Sequence, residues 1–535
     1  ILLDNWLKGR RRHVWISKSD KLIEDAQRDW SALGQEKLLI TPLSRFRQGK
    51  PIRLKEGILF TTFATLRTDE REGKSSRVQQ IVDWLTGADE PEMYPTDEAR
   101  IFDGVIVFDE GHALANAIDS KSGHRARAPS QQGRAGLRLQ RALPNARIVY
   151  DSATGAADVE SLGYAERLGL WGSTDLPFVT RSEFISAVED GGVAAMEVLA
   201  RDLKAMGLYA ARSLSFEGVE YDILEHELTP DQTRIYDSYA EAFQVIHSHL
   251  DAALEAAGIT SSDGTRNKQA KSAARSAFEG SKQRFFNHLL TSMKTPALIA
   301  ATNQDLDDGL AAVIQLVSTG AALTERRLAQ IPTEVWADIQ VDVTPREYVI
   351  DYLMHSFPIQ LFEEYSDEKG EMFSRPVYDD VGNPVICREA ERRRDELVER
   401  LGSLPPVPTA LDQIVQTFGT DRVAGIPGRS RRIVRRADSG SIARFAVENR
   451  PGSANLDEAR AFQDDQKRIL VFSDAGGTGR SYHADLGARN QRRRRHNLLE
   501  AGFRAYVAIQ GLGRSHRTNQ KQPPWFRMIA TNVKA

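Results

Sequence analysis

The chain has 535 residues, a formal net charge of −3, 27% charged residues and one cysteine, Cys387. That length corresponds to three or four ordinary domains, enough to bury roughly three quarters of the unfolded surface. The near-neutral balance excludes a global pull toward nucleic acid, so any such contact must come from local clusters, and one cysteine excludes an internal disulfide framework or a thiolate zinc cage.

From the start, Leu2 to Leu7 reads as the end of a helix and His13-Val14-Trp15-Ile16-Ser17 as a strand. The basic run Arg10-Arg11-Arg12 lies between them. Leu22, Ile23, Ala26 and Trp30 form a helical stripe, Ile58-Leu59-Phe60 a second strand, Ile101 to Phe108 a third and Arg147 to Tyr150 a fourth. Strands alternating with helices imply a parallel, doubly wound sheet, and residues 1–185 are read as the first lobe. Thr229-Pro230-Asp231-Gln232 carries the cap, the first-turn proline and the capping box of a long helix, which buries Ile235, Tyr239, Phe243, Ile246 and Leu250 and ends at Gly258. On it, His247 and His249 are two apart and share no face, which makes them poor metal ligands. Residues 186–300 are read as a connector, with the polar, Ser-rich stretch Ile259 to Gly280 as a loop.

Ala311 to Val317, Arg468 to Phe472 and Ala505 to Ile509 repeat the buried-strand pattern. They give a second α/β sheet in 301–535, interrupted by a charged insertion at about 330–453. Within and beyond it, Arg429 to Arg436 and Arg492 to Arg495 are the densest basic clusters and candidate phosphate contacts. A helix-turn-helix reader over Leu411 to Arg436, with Arg429, Arg431 and Arg432 toward a groove, is disfavoured by Pro427. No apolar run approaches the ~20 residues of a spanning helix, and Ile1-Leu2-Leu3 is too short for a signal core. The expected setting is cytoplasmic for a prokaryotic or phage protein and nuclear for a eukaryotic one, and not secreted. The opening at Ile1, with amphipathic sequence already running, reads as a start inside a domain.

Four groups sit at strand ends. Asp109-Glu110-Gly111-His112 follows Val105 to Phe108, which places two carboxylates at the carboxyl edge of the sheet, where open α/β sheets bind ligands. There one acid can hold a Mg²⁺ shell and the next can orient water for phosphoryl transfer. Ser152-Ala153-Thr154 follows the next strand, with hydroxyls able to couple the acids to movement. Asp474-Ala475-Gly476-Gly477-Thr478-Gly479-Arg480 brings backbone N–H groups close to phosphate or sugar. Gln510-Gly511-Leu512-Gly513-Arg514-Ser515-His516-Arg517 carries two arginines three apart, expected on one helical face as a charge clamp.

With these groups, together with Gly191 to Glu197 and Gln315 to Gly320, the chain resembles the superfamily 2 helicase-like ATPases, most closely the Strawberry notch family of DExH proteins. The spacing of Ala475 to Gly479, Ala484-Asp485 and Arg514 to Gln520 also resembles the Swi/Snf-type branch, whose motors translocate on duplex. The resemblance implies two RecA-like, parallel-sheet α/β lobes of the P-loop NTPase type, with ATP and Mg²⁺ as cofactors and nucleic acid, DNA ahead of RNA, as partner. It implies Asp109 and Glu110 at the metal and water, His112 reporting phosphate state to Ser152 and Thr154, and Gln510, Arg514 and Arg517 entering from the second lobe. Gly477, Gly479, Asp485 and Gly513 would meet the nucleotide. Ser17, Lys18, Thr61, Thr62, Ser318, Thr319, Thr478 and Arg480 would meet the nucleic-acid backbone. One element is missing: the 535 residues hold no Gly-x-x-x-x-Gly-Lys-Ser/Thr loop. Gly73-Lys74-Ser75 lacks both the first glycine and a leading strand, and Asp474 and Arg480 stand where glycine and lysine are needed. The chain alone is therefore expected to hydrolyse ATP poorly, and a catalytically incomplete nucleic-acid-binding scaffold is the alternative.

Overall fold

Short β-branched and aromatic runs bounded by turn residues become buried parallel strands in a computed structural model of the chain. The structure describes residues 1–71, 73–88, 101–115, 117, 129–152, 160–172, 177–211, 215–317, 345–367, 370–405, 407–426, 431–436, 444–450, 453–473, 480–502 and 505–533. Two units divide it, Ile1–Ser213 and Leu214–Ala535, each with an all-parallel main sheet, which is the expected α/β class.

In the first unit β1 (Arg12–Ser17), β2 (Thr41–Pro42), β3 (Gly57–Thr62), β4 (Val105–Asp109) and β5 (Arg147–Asp151) lie in the order β2-β3-β1-β4-β5. Side-chain alternation covers both faces. Val14, Ile16, Leu59, Ile106 and Phe108 pack with Ile81, Trp84, Leu137 and Leu139 from the helices Arg77–Thr86 and Gln131–Ala142. Ile58 and Phe60 face Trp6, Ala26 and Trp30 on the other side. β4 starts later than the apolar run suggested, because Ile101 is exposed and pairing begins at Val105.

The second unit contains β6 (Glu220–His226), the small hairpin β7–β8 (Thr260–Ser261, Gly264–Thr265), β9 (Ala311–Leu316), the hairpin β10–β11 (Phe362–Ser366, Met372–Pro376), β12 (Val423–Ile426), the hairpin β13–β14 (Arg431–Arg436, Arg444–Asn449), β15 (Ile469–Ser473), β16 (Arg494–Leu498) and β17 (Trp525–Thr531). Its main sheet runs β12-β15-β9-β16-β17-β6. Thr229 and Gln232 close the expected capping box on the helix Pro230–Ala256, and Gly258 follows it in the left-handed region. That helix shares an aromatic core of Tyr239, Phe243, Phe278, Phe285 and Tyr352 with Lys268–Asp307, Arg346–Ser356 and Arg388–Gly402. Much of the charged insertion is therefore the outer wall of a helical module.

Three expectations change. The Ser-rich stretch after Ile259 forms the small hairpin β7–β8, and Asn267 then caps a helix running from Lys268 to Asp307; Ala274, Phe278 and Phe285 carry its helical spacing. Ala505 to Ile509 is helical, within Ala505–Leu512, since five apolar residues suit either state. The strand is instead Arg494–Leu498, hidden from a hydropathy reading by its two arginines. The connector stretch supplies β6, an edge strand of the second sheet. Arg431 and Arg432 lie on a β-hairpin, not a recognition helix, and Arg429 lies outside the described residues. No helix among the described residues is long and apolar enough to cross a membrane.

Candidate functional site

In the first unit the carboxyl edge of β4 sets the chemistry. Asp109 and Asp151 are register partners across β4 and β5, so two carboxylates stand side by side at the strand ends. Asp109 Oδ2 accepts from Ser17 Oγ at 2.6 Å and from Trp15 Nε1 at 3.4 Å. Burial and the neighbouring Asp109 hold Asp151 above the usual carboxylate range. The next residue, Glu110, turns the chain with φ 55° and ψ 46°, a left-handed conformation that L-residues other than Asn, Asp or Gly rarely adopt. This turn brings His112 back over the edge. Its Nδ1 is 3.3 Å from Glu110 Oε2 and 3.2 Å from Ser152 Oγ, so one ring nitrogen faces both the acid and the hydroxyl of the following strand.

Several residues lie elsewhere than expected. Ser17 is fully buried and supports Asp109, so its hydroxyl does not meet a nucleic-acid backbone. Thr61 and Thr62 are also buried, and Thr62 caps the short helix Phe63–Leu66 by accepting from Thr65 N. Lys18 is exposed. Thr154, Ser318, Thr319, Gly477, Thr478 and Gly479 lie outside the described residues.

In the second unit the arginine segment follows the helix Ala505–Leu512. Gln510 is in its last turn and half-buried; Gly513 begins the turn that leaves it, donating its N–H to Ile509 O. Because the helix ends at Leu512, Arg514 and Arg517 do not share a helical face. Arg514 is buried: its Nη1 donates to Arg480 O at 2.9 Å and its carbonyl accepts from Tyr482 N. Arg480 in turn donates to Asn455 O. Arg517 is exposed, on a turn where its own N–H donates to Gln520 Oε1 and Gln520 Nε2 bonds His516 Nδ1. Asp485, expected at the nucleotide, is occupied within this turn. It accepts from His483 Nε2 at 3.0 Å, Gly487 N at 2.7 Å and Asn519 Nδ2 at 3.2 Å. Burial would raise its pKa, but these donors hold it below the usual range. Burial keeps His483 low as well, and the nearby charges of Arg517 and Arg494 add to this against Asp485.

The arginine run 492–495 is not a phosphate patch. Arg492 pairs with Asp465 and Arg493 with Glu220 at the strand's entrance. Arg494 is buried and donates to Tyr482 O, His483 O, Asn490 and Gln463, with its plane over Phe462, so it staples the 482–490 segment that carries Asp485. Arg495 pairs with Asp222 and lies 3.8 Å from the Trp525 ring centroid. Sequence reasoning missed Trp15, Asp151, Gln315, His496, Ser515 and Asn519 as supports of these two edges. None carries a local signature of that role, although Asp151 adjoins a group that was singled out and Gln315 and Ser515 lie within two others.

Residues 1–238 match the family described as P-loop containing NTP hydrolase pore-1, and residues 409–535 match the C-terminal domain on Strawberry notch homologue. Protein strawberry notch homolog 1 of Rattus norvegicus is 30% identical over 604 residues, covering 100% of this chain and 46% of that protein. Protein FORGETTER 1 of Arabidopsis thaliana is 28% identical over 648 residues, covering 100% of this chain and 48% of that protein. The chain thus spans about half the length of these curated relatives. The solved structure of DUF1998 helicase MrfA bound to DNA and AMPPNP aligns with 99% of this chain and 44% of that one, at 10% identity and a TM-score of 0.39.

Proposed function

We propose that this chain, which belongs to the Strawberry notch family, is the core of an ATP-driven translocase on nucleic acid, with DNA ahead of RNA as its track. The observation that carries the reading is the edge of β4 and β5, where His112 meets both Glu110 and Ser152. A carboxylate beside a ring nitrogen that also touches the next strand is a part list for sensing and cleaving a terminal phosphate. The paired carboxylates Asp109 and Asp151, one braced by Ser17 and Trp15, suit a hard divalent cation. Mg²⁺ arriving with the triphosphate would neutralise its charge, with Asp109 holding the metal's water shell. Glu110 orients the attacking water. Ser152 takes the resulting change at His112 into β5. From the second unit, the exposed guanidinium of Arg517 fits the arginine finger better than Arg514, whose guanidinium is engaged by Arg480 O.

Glu110→Gln in the full-length protein tests this. ATP binding should persist while nucleic-acid-stimulated hydrolysis falls by about 10² or more, since only water orientation is removed. Wild-type turnover would refute the assignment. Arg517→Ala should lower stimulated turnover by roughly 10³, the lower end of what such fingers supply. Running the assay with duplex DNA, single-stranded DNA and RNA separately identifies the track. Binding should weaken with a log–log salt slope of roughly −0.9 per duplex phosphate neutralised; a flat response points to a protein partner.

One observation favours the scaffold alternative: no Gly-x-x-x-x-Gly-Lys-Ser/Thr occurs in the 535 residues. On the motor reading, residues 1–535 alone hydrolyse ATP slowly, and joining them to a segment that carries such a loop raises turnover. Absence of turnover in both selects the scaffold.

A further inference from the structure

Three buried polar side chains in the second unit connect segments far apart in sequence. Gln315 is on β9, His496 on the adjacent β16, and Ser515 in the turn between Arg514 and Arg517; all are at most 1% exposed. His496 Nε2 lies 3.2 Å from Gln315 Oε1, and its Nδ1 lies 2.7 Å from Ser515 Oγ. Gln315 Nε2 donates to Ala508 O, in the helix that leads to Gln510. The proton positions follow. An amide oxygen only accepts, so Nε2 carries the ring proton, and Nδ1 of the neutral ring, 2.7 Å from Ser515 Oγ, takes the hydroxyl proton in preference to Leu512 O at 3.2 Å. Complete burial holds the His496 pKa at about 3, which keeps the ring in this form at neutral pH.

The surroundings leave little slack. A Cβ on Gly511 would stand 2.0 Å from Gln315 Nε2, so the helix rests its backbone on this amide and needs glycine there. On the main chain, Leu499 N and Glu500 N donate to Gln315 O, and Glu500 Oε2 accepts from Val317 N at 3.0 Å. The end of β9 is therefore clamped to the exit of β16. Burying polar groups between two strands is costly unless every member is satisfied, and an apolar trio would fill the space without that requirement. Fixed relative position is what the polar version supplies.

We propose that Gln315, His496 and Ser515 form a positioning relay that ties the end of β9 to the arginine turn and so sets the placement of Arg517. The relay rests on the motor reading above. It adds no group to the chemistry, because none of the three side chains is exposed to a substrate.

The test compares His496→Phe, Ser515→Ala, the double variant and Ser515→Thr in the full-length protein, measuring kcat and KM for ATP with saturating DNA. Each of the first two should lower stimulated kcat by about 10-fold or more, as small misplacements of a clamp do, with KM changed less than about threefold. The double variant should be no slower than the slower single one, because both substitutions break the same His496–Ser515 hydrogen bond. Ser515→Thr, which keeps the hydroxyl, should recover most of the rate. Additive losses, a change confined to KM, or failure of the threonine to recover the rate would overturn the relay. Imidazole ¹⁵N shifts of histidine-labelled protein report independently of turnover: a neutral Nε2–H ring whose Nδ1 signal moves in Ser515→Ala is expected, and a doubly protonated ring at neutral pH would overturn it. If wild type shows no DNA-stimulated turnover, the motor reading falls and the relay with it. Stimulated wild type with unaffected variants removes the relay alone.

Discussion

The acid edge of the first unit and the arginine turn of the second are built by opposite means. Asp109, Glu110 and His112 are presented by a strand end and the turn that follows it, and their nearest supports lie at the ends of the two neighbouring strands: Trp15 and Ser17 on β1, and Ser152 directly after β5. Arg514 and Arg517 lie on a turn with no regular structure, held by Gln315, Arg480, Asp485 and His496 from four other positions in the chain. A strand end is positioned by its own sheet, whereas a turn takes its position from whatever is bonded to it. The second unit accordingly buries ionic side chains that the first does not need.

The sharpest case is the cluster of Arg495, Arg527, Asp222 and Asp305, which joins β16, β17 and β6 to the end of the helix Lys268–Asp307. Arg495 and Asp305 are 1% and 4% exposed. Asp305→Ala leaves two arginines without one of their counter-charges, and breaking such a buried pair costs about 3–5 kcal/mol. Asp109→Ala, by contrast, removes two hydrogen bonds at a sheet edge and should cost no more than about 2 kcal/mol. Urea unfolding of both variants measures the difference. Equal losses would erase the contrast between the two regions.

A smaller effect should be common to both units. His13 in β1 accepts from Val105 N and is fully buried, with a pKa lowered by burial to about 4; His496 is lowered to about 3. Both folded pKa values lie below the unfolded value of 6.5, so the unfolded state binds more protons in this range and stability rises with pH. The contribution is complete above about pH 6.5 and is lost as pH falls toward 4 for His13 and toward 3 for His496. At roughly 1.4 kcal/mol per pH unit, His13 accounts for about 3 kcal/mol. His13→Asn should flatten the acid limb of the first unit's unfolding curve; an unchanged limb would show that the ring is not held neutral.

This division explains what could be read from sequence. The acid edge was legible because Val105 to Phe108 is a buried strand by composition, and the residues after a strand in an α/β sheet have one place to go. The capping box at Thr229 was legible for the same reason, being chemistry confined to four neighbours. β16 was not. Arg494 and Arg495 are buried only because Tyr482, Asn490, Gln463, Asp222 and Asp305 arrive from elsewhere to bond them, and nothing within Arg494–Leu498 announces those partners. Ala505 to Ile509 was assigned to the strand that β16 in fact supplies, since a short apolar run has no period long enough to decide. Ser17 was misplaced by one level: its position at a strand end was right, but its hydroxyl turns inward to Asp109.

The finest test concerns strain. Each region holds one non-glycine residue in the left-handed conformation, Glu110 at φ 55° and Asn519 at φ 63°. Asparagine tolerates this region, and Asn519 also uses its side chain there, donating to Asp485. Glutamate lacks asparagine's tolerance of this region and carries about 1 kcal/mol or more of backbone strain in that turn. Glu110→Gly should therefore raise the stability of the first unit by up to about 1 kcal/mol while abolishing stimulated hydrolysis. Asn519→Gly should give no gain, since the relief is small and a hydrogen bond to Asp485 is lost. Thermal unfolding of the two variants distinguishes strain retained for chemistry from a turn that chose the residue suited to it. If Glu110→Gly is no more stable than wild type, the surroundings of the acid edge impose no strain, and its conformation is as relaxed as that of the arginine turn.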